Sequence, residues 1–318
     1  MDKYDWQATE SAPKGYPMQV VSGTLFYRGE DHGLYVPDRV PALQPGWGVG
    51  RSSHITGPDF KPLPDRLEIT FFSYTENQFY KGKFDLPYEK ILAMFKAGYE
   101  SYTYEKHVTY NKVVVGVAPG GAVAVWLSGI NKTTEIFFGQ AEKAEVDWKR
   151  IIDNPKYPRE GYADLVIKES LTPEAIAALR KNGIPFDLWS TYRTRYPWQP
   201  VFTGMVLKNG RIGQMKYFNG EDDYLNLPLE PAIAASPRPV PSELHFSWLR
   251  PNAKSMLFEL YFNEAEIFAA FKALGGTKQA LQLEMLMVKT EKSHDFTIWL
   301  RNDKDKIELK LTNVKTYG

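Results

Sequence analysis

Arg193 and Arg195 alternate within Tyr192-Arg193-Thr194-Arg195-Tyr196. On a strand, side chains two apart point to one face, so this spacing sets two guanidinium groups side by side. A planar guanidinium matches a carboxylate or phosphate through paired N–H donors. The chemistry in view is therefore anion recognition, with Glu76, Glu160 and Glu221 as internal carboxylates that could occupy the same donors. Two readings stay open. One is an anion clamp of Arg193, Arg195 and Glu221, centring a small-ligand site or an enzyme. The other is an ion-pair network that pins the connection between two halves to its sheets. No paired base accompanies the arginines. His32, His54, His107, His245 and His294 are scattered, without metal-ligand spacing. No Gly-x-Ser-x-Gly nucleophile turn occurs. Ala118-Pro119-Gly120-Gly121-Ala122 lacks the lysine and hydroxyl of a phosphate loop and reads as a hairpin turn. There is no cysteine, hence no thiolate ligand or nucleophile. The expectation is a protein that is not an enzyme and holds no metal or cofactor.

The whole composition narrows the partners. A net charge of +1 over 318 residues leaves no electrostatic footprint for nucleic acid. No run approaches the roughly 20 apolar residues of a membrane span. The N-terminus has no apolar stretch, which predicts a cytoplasmic protein as written; a periplasmic or envelope address is the alternative if a leader has been removed. A chain of this length predicts two domains.

The elements that would position these residues recur. Leu67-Glu68-Ile69-Thr70-Phe71 returns as Leu244-His245-Phe246-Ser247-Trp248. Ile91 to Ala97 returns as Ile267 to Ala273, and Val123 to Leu127 as Phe296 to Leu300. The offsets are 177, 176 and 173. Three matches in one order predict a duplicated unit. Tyr16-Pro17-Met18-Gln19 and Tyr196-Pro197-Trp198-Gln199, at offset 180, extend the match to the front of each unit. The expected fold is α+β, predominantly antiparallel β, in two similar domains, each a β-sheet with one packed helix. The units span 1–152 and 184–318, with 153–183 a linker carrying a short helix.

Within this frame the local signals are ordinary ones. Tyr88, Ile91, Leu92 and Phe95 form one helical stripe ended by Gly98. Asn263 caps the corresponding helix and Thr172-Pro173-Glu174 opens the linker helix. Strands are predicted over Leu67–Tyr74, Phe79–Phe84, Lys112–Val117, Ala122–Leu127, Thr133–Phe138, Phe296–Leu300 and Lys306–Leu311. Phe218-Asn219-Gly220-Glu221 reads as a hairpin turn. Asp31 to Pro64 is dense in glycine and proline and predicts a long loop. Trp47 lies within it between Gly46 and Gly48. It either tucks the loop onto the core or stands exposed as an anchor for a partner, with Tyr35 and His54 beside it.

Taken together, Gly46-Trp47-Gly48, Phe72-Ser73-Tyr74-Thr75-Glu76-Asn77-Gln78-Phe79-Tyr80-Lys81-Gly82, Phe84-Asp85-Leu86-Pro87, Gly116-Val117-Ala118-Pro119-Gly120-Gly121, Val125-Trp126-Leu127 and Phe138-Gly139-Gln140-Ala141 form a recognisable series. It continues through Gly183-Ile184-Pro185, Trp189, Tyr192 to Tyr196 and Phe218 to Glu221. The run from Tyr4 to Glu221 resembles the bacterial DUF2931 family of uncharacterised proteins. The resemblance implies no catalytic residue. Many such relatives look like envelope lipoproteins, and some lie beside type VI secretion genes. It thus implies a protein-binding role, as an immunity or accessory protein that covers the active site of a secreted toxin or lipase effector.

Overall fold

The computed structural model describes residues 2–317 apart from 39, 53–56, 102, 104–105, 205–209, 226–236, 250–254, 276–279 and 290–293. The chain divides into two compact units, Met1–Trp189 and Ser190–Gly318. Both are β-rich with mostly antiparallel pairing, and helices complete an α+β architecture.

In unit 1 one sheet runs in the order Glu142–Ala144, Gln78–Asp85, Pro64–Ser73, Met18–Tyr27, Gly33–Tyr35, all antiparallel. A second set runs Gln7–Ser11, Lys112–Val117, Ala122–Gly129, Lys132–Gln140, with only the first pair parallel. The inner faces follow period two: Leu67, Ile69 and Phe71 from the first sheet, Val113, Val115 and Val117 from the second. The helix Tyr88–Ala97 buries Tyr88, Ile91 and Phe95 in the same core, and ends at Gly98 with φ 55°. Gly120 (φ 76°) and Gly121 (φ 89°) make the tight turn expected between 117 and 122.

Unit 2 has the same order of strands. Asn313–Tyr317, Ser255–Tyr261, Pro241–Leu249, Gly210–Tyr217 and Asp222–Leu225 form its first set. Tyr196–Gly204 pairs parallel with Leu281–Lys289, then His294–Arg301 and Lys306–Glu308 follow antiparallel. The helix Glu264–Leu274, capped by the Asn263 side chain on the Glu266 N–H at 3.1 Å, buries Ile267, Ala270, Phe271 and Leu274.

A tryptophan anchors each core. Trp6 donates its indole N–H to the Pro62 carbonyl at 3.1 Å and meets the Tyr27 ring edge-on at 6.4 Å. Its own carbonyl accepts from the buried Lys61 Nζ at 2.5 Å. In unit 2, Trp198 donates to Pro239 O at 2.9 Å, lies 6.4 Å from the Tyr217 ring, and accepts from the buried Arg238 at 2.9 Å. Tyr4 packs on Phe95 at 5.1 Å and Tyr196 on Phe271 at 5.2 Å.

Several sequence expectations are corrected. Segment 153–183 is no separate linker. It carries two helices, Arg159–Ser170 and Pro173–Asn182, and the first buries Ala163 and Val166 against Phe72, Tyr74 and Phe79 of unit 1. Arg159 fixes its start by bonding Asn77 Oδ1 at 2.9 Å. Unit 1 therefore has more than one packed helix, and the boundary falls at 189/190. The last predicted strand is shorter, Lys306–Glu308. The match of Tyr16-Pro17 with Tyr196-Pro197 is also displaced. Met18 opens a strand of the first sheet, whereas Tyr196 opens the strand that pairs parallel with Leu281–Lys289. Hydrogen bonding instead aligns Trp6 with Trp198, an offset of 192. A short Tyr-Pro string reflects local turn composition, while the ladder and the indole bond record position in the fold.

Candidate functional site

The arginine segment folds as a turn, not a strand. Leu188–Thr191 is one helical turn, after which Arg193 N–H donates to Ser190 O at 3.2 Å and Thr194 N–H to Thr191 O at 3.0 Å. Arg195 follows, just before the strand Tyr196–Gly204. Alternation on one strand therefore does not bring Arg193 and Arg195 to a common face. Arg195 instead closes on Glu221, its Nη2 donating to Oε1 at 2.6 Å and Oε2 at 2.7 Å. The Glu221 side chain is 8% exposed and that of Arg195 42%.

The turn that carries Glu221 is built locally. Gly220 takes φ 83°, the Glu221 N–H donates to Asn219 Oδ1 at 3.2 Å, and Tyr217 N–H donates to Glu221 O at 2.9 Å. The Tyr217 hydroxyl below it is pushed up from its ordinary pKa by burial, and further by the charge of Asp223. The other candidate carboxylates lie elsewhere. Glu76 accepts from Tyr80 Oη at 2.7 Å and from Gly120 N–H at 2.9 Å, holding the hairpin turn of unit 1. Glu160 is exposed in the first turn of the helix Arg159–Ser170.

The glycine- and proline-rich loop of unit 1 covers the outer edge of the strand Gln7–Ser11. Gly46 N–H donates to Ala12 O at 2.9 Å, Arg51 N–H to Glu10 O at 2.9 Å, and Ser11 Oγ to Gly46 O at 2.8 Å. This pairs an edge that would otherwise stay open. Trp47 is not an exposed anchor. It is buried, edge-on to Trp126 at 4.9 Å and tilted on Trp189 at 5.7 Å. Room for it comes from Gly116, where a Cβ would lie 2.5 Å from Trp126 and 3.0 Å from Trp47. Tyr35 is exposed, at 41%, as are Val49 (53%) and Phe60 (63%) on and beside the same loop. His54 lies outside the described residues.

Two further constellations were not singled out from the sequence. One is a cavity of about 450 Å³ in unit 1, lined by Arg28, Arg66, Tyr88, Glu89 and neighbours. Arg66 stands opposite Phe26 on the adjacent strand, with its guanidinium 4.3 Å from that ring centroid. The other crosses the first sheet of unit 2. Glu243 receives Lys216 Nζ at 3.0 Å and has His245 Nε2 at 3.2 Å, and its carboxyl is lowered to about 2, chiefly by the His245 bond. Strand register alone brings these groups together, and no local motif announces it. Among the described residues no group of three or more His, Asp or Glu is arranged to hold a metal ion, and no helix is long and apolar enough to cross a membrane.

The fold and its sites thus define a two-unit α+β protein with an anchored surface loop. The chain belongs to the DUF2931 family, proteins of unknown function, whose model matches residues 1–187. That span is nearly the whole of unit 1. No curated protein and no solved structure matches the chain.

Proposed function

We propose that this chain is a non-enzymatic protein-binding factor. Within that class we place it as an immunity or accessory protein of a bacterial toxin (type VI) secretion system, one that covers an effector's active site. The observation that carries this reading is the surface around the loop that holds Trp47. That loop is held from beneath by Trp47 and by bonds to the strand edge and exposes Val49, while the short strands Gly33–Tyr35 and Phe60–Pro62 on either side of it expose Tyr35 and Phe60. Apolar side chains on a restrained backbone lose little entropy on docking and make good anchors. Arg195 Nη2 already donates to both oxygens of Glu221, which supports the structural reading of the arginines over a ligand clamp.

The test is co-purification with the products of the neighbouring genes, followed by calorimetric titration of the complex. Tyr35→Ala and Phe60→Ala should each weaken the complex by about tenfold or more, which is 1.4 kcal/mol, with the melting temperature unchanged. Undiminished affinity in both folded variants would reject this surface.

We also infer that the two units descend from one duplicated ancestor. The common strand order and the Trp6 and Trp198 anchors, each with its proline carbonyl, tyrosine ring and buried cation, support it.

A further inference from the structure

The two units can be aligned at the mouth of the unit 1 cavity. Arg28 N–H donates to Leu63 O at 3.4 Å, and Phe218 N–H to Val240 O at 3.1 Å. Leu86 N–H reaches Asp65 O at 2.7 Å, and Phe262 N–H reaches Ser242 O at 3.0 Å. Arg28 and Phe218 are therefore counterparts, and so are the starts of the two core helices.

In unit 2 this groove is filled from within the unit. Tyr192 is buried, with its ring 5.4 Å from Phe218 and 5.7 Å from Phe268, and its hydroxyl donates to Glu264 Oε1 at 2.8 Å. In unit 1 the corresponding space is the cavity of about 450 Å³. Its walls are two arginines laid on aromatic rings. Arg28 sits 4.1 Å from the Tyr88 centroid and is neutralised by Glu89 at 2.7 Å. Arg66 lies over Phe26, and its Nε is buried without a hydrogen-bond partner. Asp85 faces Arg66 across the strands and also lines the cavity, yet among the described residues no carboxylate closes an ion pair with Arg66. A guanidinium held this way favours an incoming carboxylate, because its ring support orients the donors and its Nε has no internal acceptor; Asp65, Asp85 and Glu89 balance Arg28, Arg66 and Lys90 along the walls, so selectivity lies in this bond and not in the net charge of the cavity.

We propose that this groove is a docking site for a tyrosine-bearing acidic segment of a partner protein. The tyrosine ring enters where Tyr192 sits in unit 2, and a neighbouring carboxylate of the segment closes on Arg66. The site is separate from the exposed loop and does not depend on the loop's role.

The test uses the full chain and a fluorescein-labelled synthetic peptide, Gly-Asp-Tyr-Glu-Gly, followed by fluorescence anisotropy. Saturable binding is expected. It should weaken by about tenfold or more in Arg66→Ala and when serine replaces the peptide's tyrosine, which is 1.4 kcal/mol. Arg66→Lys keeps the charge but loses the planar stack, and should fall between. Tyr35→Ala and Phe60→Ala should leave peptide binding unchanged, which separates this site from the loop. If Arg66→Ala does not fold, the serine peptide and Arg28→Met carry the test. The proposal is overturned by any of three results: no saturable signal at millimolar peptide, equal binding of the tyrosine and serine peptides, or displacement of the peptide by equimolar inorganic phosphate. The last would mark a site for free anions.

Discussion

Unit 1 and unit 2 agree at their centres and part company at their coverings. Both bury a tryptophan whose carbonyl is capped by a cation, Lys61 in one and Arg238 in the other. A buried charge is costly unless bonded, so the two chemistries solve one problem differently. Burial lowers the Lys61 ammonium from its usual range, whereas a guanidinium stays charged. Outside this centre the units differ. Trp126 is wholly buried under Trp47. Trp299, in the matching strand, is half-buried, with Lys306 Nζ 5.4 Å from its ring centroid. Tyr192 fills the groove of unit 2, and the groove of unit 1 is open. The lesson is that the two units share a buried, hydrogen-bonded tryptophan at the centre and differ in what covers it.

Three experiments break or sharpen this comparison. The largest effect is expected at the anchors themselves. Trp6→Ala and Trp198→Ala should each cost about 3–5 kcal/mol, the range for emptying a buried aromatic site. Urea denaturation followed by far-UV circular dichroism would read both, and a loss below about 1 kcal/mol in either would break the equivalence of the two centres.

Next comes acid, where the units should differ. The folded-state pKa of Glu243 lies near 2, below its unfolded value of 4.5, chiefly through the His245 bond with Lys216 adding to it. Its stabilisation is therefore complete above about pH 4.5 and lost as the pH falls from there toward 2. On strand register an arginine, Arg66, and not a carboxylate occupies the matching place in unit 1. Glu243→Gln should remove on the order of 2 kcal/mol of this acid dependence. An unaltered melting temperature against pH profile between 5 and 2 in that variant would show the carboxylate to be uninvolved.

The smallest effect should follow from exchanging the cations. Lys61→Arg and Arg238→Lys should each change stability by about 1 kcal/mol or less, since either head group can donate to the tryptophan carbonyl. Thermal melts with the wild-type chain alongside would measure this. A cost in Lys61→Arg as large as that of Trp6→Ala would mean that the two cation sites are differently shaped.

Much of the local structure could be read from the residues alone. Gly120-Gly121, Thr172-Pro173 and Asn263 specify their turns and caps through their own backbone freedom and short side chains. The stripe of Tyr88, Ile91 and Phe95 placed its helix, and the recurrence of Leu67 to Phe71 at Leu244 to Trp248 marked corresponding strands. These signals act over a few residues, within the reach of propensity and periodicity. What only the tertiary structure decided depends on partners distant in the chain. Trp47 is buried because Gly116, 69 positions away, leaves space beside Trp126. Arg195 meets a carboxylate because a hairpin returns Glu221 to it. Segment 153–183 joins unit 1 because Ala163 and Val166 find Phe72 and Phe79. The groove at Arg66 is open because, among the described residues, no tyrosine of unit 1 does what Tyr192 does in unit 2. Composition and spacing determine which elements form; pairing register and the space between sheets determine which side chains meet.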